Sequence, residues 1–234
     1  MENVFRRYHP LTYKNMREDV YENMTLSSKT EYEKIVQTVK ANLSCVVVGT
    51  SSTLLNKKYG KEIDAFDIVF RINNMKLLDT YAEYTGRRED IRIATYPFEM
   101  QNVTLIYYCH VPWFPSVCWT RSTLDRKLRI SPFFVFHVKR SHGLLKWPTT
   151  GLVAYEMANT LCSTVKTYGF GISAVSNCSH FYNVDLKTWK CGHMYGGAKI
   201  RNSPSMYKNY VLSSHHDFKK EQTFFNHNPY VSHR

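Results

Sequence analysis

The sequence predicts an α/β fold, with a mostly parallel central sheet flanked by helices. Three observations carry this. Short, β-branched apolar runs alternate along the chain with helix-patterned stretches, the signature of a parallel sheet. The first run, "CVVVG" from Cys45, passes straight into a small-residue turn, Gly49–Thr50–Ser51–Ser52. The 234 residues are 43% hydrophobic and 21% charged, the composition of a globular core and not of a disordered chain.

The elements follow in order. Residues 1–28 read as irregular and polar. "SSKTEYEKIVQTVKAN" reads as a helix, opened by Ser or Thr and carrying Ile35, Val36 and Val39 on one face. "CVVVG" is a buried strand. "AFDIVFRIN", "IRIATY", "VTLIYYC" and "FFVFHV" read as four more strands. "TGLVAYEMANTLCSTV" is a helix with Thr149 and Thr150 at its start, and "KTYGFG" is a strand and turn. "HDFKKEQTFFNH" opens a last helix. There are no repeats and no low-complexity segments.

In such sheets ligands sit beyond the carboxyl ends of the strands. Those ends fall at Gly49–Ser52, Asn73–Asn74, Tyr96–Pro97 and Tyr168–Gly171. The helix start at Thr149–Gly151 adds unpaired N–H groups and a positive dipole end, an anion site. The net charge of +12 favours anionic partners. Seven Lys or Arg between Arg121 and Lys146 (with Arg126, Lys127, Arg129, Lys139 and Arg140) face one acid, Asp125; they read as a solvated face or as a phosphate-facing loop. No recognised nucleic-acid module accompanies the charge, so no nucleic-acid partner is expected.

No apolar run reaches bilayer length, and the N-terminus has no secretory h-region, so the chain as it stands reads as soluble. Four sequons, at Asn23, Asn42, Asn102 and Asn177, and six cysteines point to an oxidising lumen. The turn at Gly49 lacks the G-x-G-x-x-G pattern, and there is no P-loop. D-x-D, a divalent-metal clamp of sugar-nucleotide transferases, is missing, so no catalytic metal and no cofactor is expected. Cys178-x-His180 and Cys191-x-His193 leave two readings open, a Cys₂His₂ zinc site and a Cys178–Cys191 disulfide. His216 is a candidate general base. Glu221, a turn and a half further on, reads as orienting a loop or capping a neighbouring segment and not as a partner of the imidazole.

Four stretches in order resemble one family. "CVVVGTSSTLLNKKYGKEIDAFDIVFRINN" is similar to the large motif of the animal-type sialyltransferases, glycosyltransferase family 29. "PTTGLVAYEMANTLCSTVKTYGFG" is similar to the small motif, "HFYN" at His180 to the third, and "HDFKKE" at His216 to the very small motif, H-x₄-E. "TGRREDIRIATYPFE" resembles the segment between the first two. The resemblance implies a single Rossmann-like domain, a variant of the glycosyltransferase-A fold, with residues 1–43 as an N-terminal segment and leading helix and 44–234 as the catalytic domain.

The resemblance also implies a reaction. Sialic acid would move from CMP-sialic acid to a galactose or N-acetylgalactosamine hydroxyl of a glycoprotein or glycolipid, with inversion, without metal, and with α-2,3 linkage favoured. His216 would be the base, and His180 would hydrogen-bond the CMP phosphate. Gly49, Thr50, Ser51 and Asn73 would line the donor's ribose and cytosine side. Thr149, Thr150 and Gly151 would meet its phosphate and carboxylate, with Gly169 and Gly171 along the base. Cys45 and Cys162 match the family's inter-motif disulfide, and the implied location is the Golgi or secretory-pathway lumen. The chain departs from the family pattern in four places. Thr50 stands for an Asn, Ser52 for a Gly, Phe181 for a Tyr and Asn183 for an acid. Intact His180 and His216 favour activity, and Thr50 favours an alternative, a catalytically weak or inactive sialyltransferase-like protein that binds nucleotide or glycan. The pairing of Cys109, Cys118, Cys178 and Cys191 is open.

Overall fold

Strands that are largely apolar on both faces belong in the middle of a sheet, and the structure puts them there. It is a computed structural model that describes residues 12–13, 41–73, 75–95, 103–107, 128–130, 132–170, 181, 184–191 and 216–227. Strands β1 (Thr12–Tyr13), β2 (Ala41–Val48), β3 (Ile68–Ile72), β4 (Ile91–Ala94), β5 (Thr104–Tyr107), β6 (Leu128–Ile130) and β7 (Cys162–Tyr168) form one sheet in the order β1-β6-β5-β4-β3-β2-β7. All neighbours are parallel except β1, which runs antiparallel to β6 at the edge. A separate hairpin pairs β8 (Val184–Asp185) with β9 (Lys190–Cys191).

Helices α1 (Gly60–Asp64), α2 (Ala82–Thr85), α3 (Pro132–Ser141), α4 (Thr150–Leu161) and α5 (Phe218–His227) complete the described elements, with 3₁₀ turns at Ser52–Asn56 and Asp79–Tyr81. Alternation along the strands sorts the core into two layers. Cys45, Val47, Ile68, Phe70, Ile72, Ile91 and Ile93 pack on α3 and α4. Val46, Val48 and Val69 pack on Leu54, Ile63, Tyr81 and Phe181 on the other face.

The α/β architecture and parallel sheet agree with the sequence reading, with four corrections. "FFVFHV" is not a strand but the body of α3: Pro132 opens it, and Phe134, Val135 and Val138 are buried at helical spacing while Phe136 is exposed. The strand before it is Leu128–Ile130. The helix from Thr150 ends at Leu161, and Cys162 to Val165 already belong to β7, where Cys162 pairs with Ala41. Ala41 and Asn42, read as the end of a helix, open β2. Thr12–Tyr13, read as irregular, is an edge strand. Residues 27–40 of the leading helix lie outside the described residues.

Candidate active site

The sheet fixes where a ligand can sit. β2 lies between β3 and β7, and the chain reaches β7 only after running outward through β3 to β6. Beyond the carboxyl ends of β2 and β7 is therefore the crevice where the strand order reverses. Gly49 N–H donates to Tyr168 O (2.7 Å) and Ser51 N–H to Gly169 O (2.9 Å), so the two strand ends are bonded past the sheet itself. The glycines are explained by this closure. A Cβ on Gly49 would collide with the carbonyl of Gly169, and Gly169 has φ 74°. The missing side chain at Gly49 thus admits the protein's own backbone. Ser51 caps the 3₁₀ turn by accepting from Thr53 N–H (3.2 Å).

Asn73 follows β3. Val48 pairs with Arg71, and Thr50 and Asn73 each lie two residues past that pair, beyond the ends of β2 and β3. Thr50 O accepts from Phe181 N–H (3.0 Å). The Phe181 ring is fully buried against Tyr81, with ring centres 5.3 Å apart. A tyrosine hydroxyl is not needed to anchor that position. His180 precedes this anchored residue but, like Gly171, lies outside the described residues.

Thr149 is the N-cap of α4, its hydroxyl accepting from Leu152 N–H (3.2 Å). Thr150 and Gly151 form the first turn, whose N–H groups have no carbonyl one turn back. Phe170 sits where a Gly151 side chain would be, stacked on Phe225 of α5 at 4.5 Å. Three hydrogen bonds then join 216–221 to 147–149. His216 Nδ1 lies 2.9 Å from Trp147 O. Glu221 accepts from Thr149 N–H (2.9 Å) and from its hydroxyl (2.5 Å). Glu221 caps a neighbouring segment, one of the two roles that its spacing from His216 led us to expect. It is buried, and burial pushes its carboxyl up to about 7 against the lowering effect of the Thr149 bonds.

The tautomer of His216 follows from its partner. A carbonyl only accepts, so Nδ1 carries the proton and the neutral ring has its lone pair on Nε2. Cys45 and Cys162 are bridged, Cα atoms 6.0 Å apart, on the α4 side of the sheet. Asn42 is exposed at the start of β2; Asn23, Asn102 and Asn177 lie outside the described residues, as do Cys178 and His193. Among the described residues no group of three or more His, Cys, Asp or Glu side chains is placed to hold a metal. The residues that motif reading passed over are Phe170 and Arg92. The first was legible only as part of "YGFG", the second only as a lone cation in the apolar run "IRIA".

A mostly parallel sheet with a closed glycine corner, beside a helix start to which a histidine is pinned, defines a Rossmann-like α/β protein. The chain belongs to glycosyltransferase family 29, the sialyltransferases, whose family model matches residues 1–111 and 124–227. It is 27% identical over 218 residues to the rat type 2 lactosamine α-2,3-sialyltransferase, covering 77% of this chain and 60% of that one. To the mouse CMP-N-acetylneuraminate-β-galactosamide-α-2,3-sialyltransferase 1 it is 25% identical over 165 residues, covering 59% of this chain and 48% of the relative. The β-1,6-galactosyltransferase GALT29A of Arabidopsis thaliana is 25% identical over 193 residues, covering 62% and 46%. The chain spans about half the length of most of these curated relatives. A mammalian sialyltransferase crystal structure has the same fold, with TM-score 0.51 at 16% identity and 90% of both chains covered.

Proposed function

We propose that this chain is a sialyltransferase that uses CMP-sialic acid and a galactose or N-acetylgalactosamine hydroxyl of a glycoprotein or glycolipid. The observation that carries the reading is His216: its Nδ1–H is spent on Trp147 O, and that segment leads directly into the start of α4. The acceptor hydroxyl attacks the anomeric carbon of sialic acid as its proton passes to Nε2 of His216. The bond from that carbon to the phosphate oxygen breaks on the opposite face, CMP leaves with the electron pair, and configuration inverts. The first-turn N–H groups of α4 and His180 stabilise the negative charge gathering on the phosphate. Thr50, Ser51 and Asn73 bind the nucleoside side. Charge stabilisation by these donors, together with the missing D-x-D, supports a reaction without metal. The linkage proposed is α-2,3, as in the named animal relatives, and the site of action is the Golgi or secretory lumen, where the Cys45–Cys162 bridge is stable.

Thr50 favours a second reading, a weak or inactive nucleotide- or glycan-binding relative, because threonine has no amide to offer the donor. Incubation with CMP-sialic acid and a panel of galactosyl and N-acetylgalactosaminyl acceptors separates the two. Sialylated product with CMP release supports the enzyme. CMP or glycan binding without CMP release in any arm supports the second reading, and the absence of nucleotide binding, glycan binding and release sinks both. A parallel arm with UDP-galactose tests the donor that the Arabidopsis relative's name suggests. Thr50→Asn is expected to raise donor affinity.

A further inference from the structure

Two arginines occupy β3 and β4 where the rest of both strands is apolar. Arg71 and Arg92 are register partners, 0% and 2% exposed. The cause is local. The chain between the two strands contributes to the cover of that sheet face only a three-residue 3₁₀ turn and a four-residue helix. Such short pieces leave carbonyls unpaired, and buried carbonyls need donors. Arg71 supplies Thr85 O (2.9 Å) and Arg88 O (2.8 Å). Arg92 Nη1 supplies Asn73 O (2.7 Å) and Met75 O (2.8 Å). Its other edge grips the buried Glu89 through Nε and Nη2, the latter at 2.7 Å.

Asn73 is where this network ends. Its φ is 50°, a left-handed backbone that asparagine tolerates better than other residues with a side chain but that still costs energy, and its surroundings hold it there. Its N–H donates to Ile93 O (2.7 Å), its carbonyl accepts from Arg92, and its side-chain oxygen accepts from Thr95 (3.4 Å). We propose that the buried Glu89–Arg92 pair is a positioning device: it holds Asn73 in its left-handed conformation and so presents the Asn73 side chain to the nucleotide donor beyond β2 and β3. The donor role of Asn73 rests on the function proposed above; Arg92 acts through the Asn73 carbonyl. A buried ion pair gives little stability compared with a well-packed apolar pair. What it adds is geometry, since a planar guanidinium faces a carboxylate along one edge and two carbonyls along another, which an ammonium cannot.

The test compares wild type, Arg92→Lys and Glu89→Gln, with Val135→Ala on α3 as a control for general loss of stability. Glu89→Gln keeps the argument open if Arg92→Lys does not fold. Hydrogen exchange is read at the Asn73 amide, CMP affinity by calorimetry, and donor KM against kcat by CMP release. The expected result is exchange at Asn73 at least about tenfold faster than in Val135→Ala at equal loss of melting temperature. CMP affinity should fall about tenfold, and donor KM should rise with kcat nearly unchanged. Exchange and CMP affinity matching the control in both variants overturns the proposal. If Asn73 exchange rises but wild type binds no CMP, the positioning stands, while the donor half falls together with the function reading.

Discussion

Removing the Glu221 carboxylate should cut α5 loose from the entry to α4. Glu221→Ala leaves the Thr149 N–H in a part-buried site without its acceptor, a cost of about 1–3 kcal/mol, and loses about 1 kcal/mol of buried methylene. The sum is about 2–4 kcal/mol, or roughly 4–16 °C in melting temperature for a chain of this size. Glu221→Gln keeps an acceptor for that N–H and isolates the titration. A carboxyl held at about 7 against an ordinary 4.5 keeps its proton more tightly in the folded chain. The native state therefore binds more protons than the unfolded one between those values. Its contribution to stability is complete below about pH 4.5, is lost as pH rises towards 7, and is flat above, a change of about 3 kcal/mol. His142 and Asp217 act on the same carboxyl in opposite directions, so comparison with Gln at each pH isolates it. Urea unfolding at pH 5, 6, 7 and 8 is the assay. Wild type should match Glu221→Gln at pH 5 and fall below it by pH 8. Parallel curves for the two proteins across that range would refute the assignment of a buried, proton-retaining carboxyl.

Other outcomes follow from the same geometry. His216→Ala should abolish transfer while CMP binding, measured by calorimetry, survives; near-normal turnover would remove His216 as the base. Replacing Cys45 and Cys162 by Ser opens a loop of 117 residues and should lower stability by about 4–5 kcal/mol in the chain-entropy account, read from urea unfolding with and without reductant. Gly49→Ala should destabilise by about 1–3 kcal/mol or fail to accumulate, because its methyl group meets the backbone of Gly169 and not a movable side chain.

The sequence was most legible where burial is simplest. Cys45–Val48, β3 and β4 are buried on both faces, so near-continuous apolar runs mark them without any need for alternation. The same rule misled at Phe133–Val138, where aromatic and β-branched residues mimic a strand. Pro132 and the polar Lys139–Ser141 were the helical cues, and packing against α4 decided the matter. The α4–β7 boundary was hidden because the chain passes from Leu161 to Cys162 with no glycine or proline between them. At the site, the motifs located the turn at Gly49, the start of α4 and His216. The reasons for the glycines were not readable, since they depend on what the far strand brings: Gly169 against Gly49, Phe170 against Gly151. Arg92 was invisible for the opposite reason. A cation in a short run reads as solvent-facing, and only the folded chain shows the carbonyls it serves.

The bridge between Cys45 and Cys162 makes everything from β3 through α4 a closed covalent ring, with the two strands that flank the crevice, β2 and β7, at its clasp. A protease that cuts once anywhere inside that ring opens it without dividing the molecule. Such a nicked protein would run as one species without reductant and as two with it. β2 and β7 would still be tied side by side after the cut.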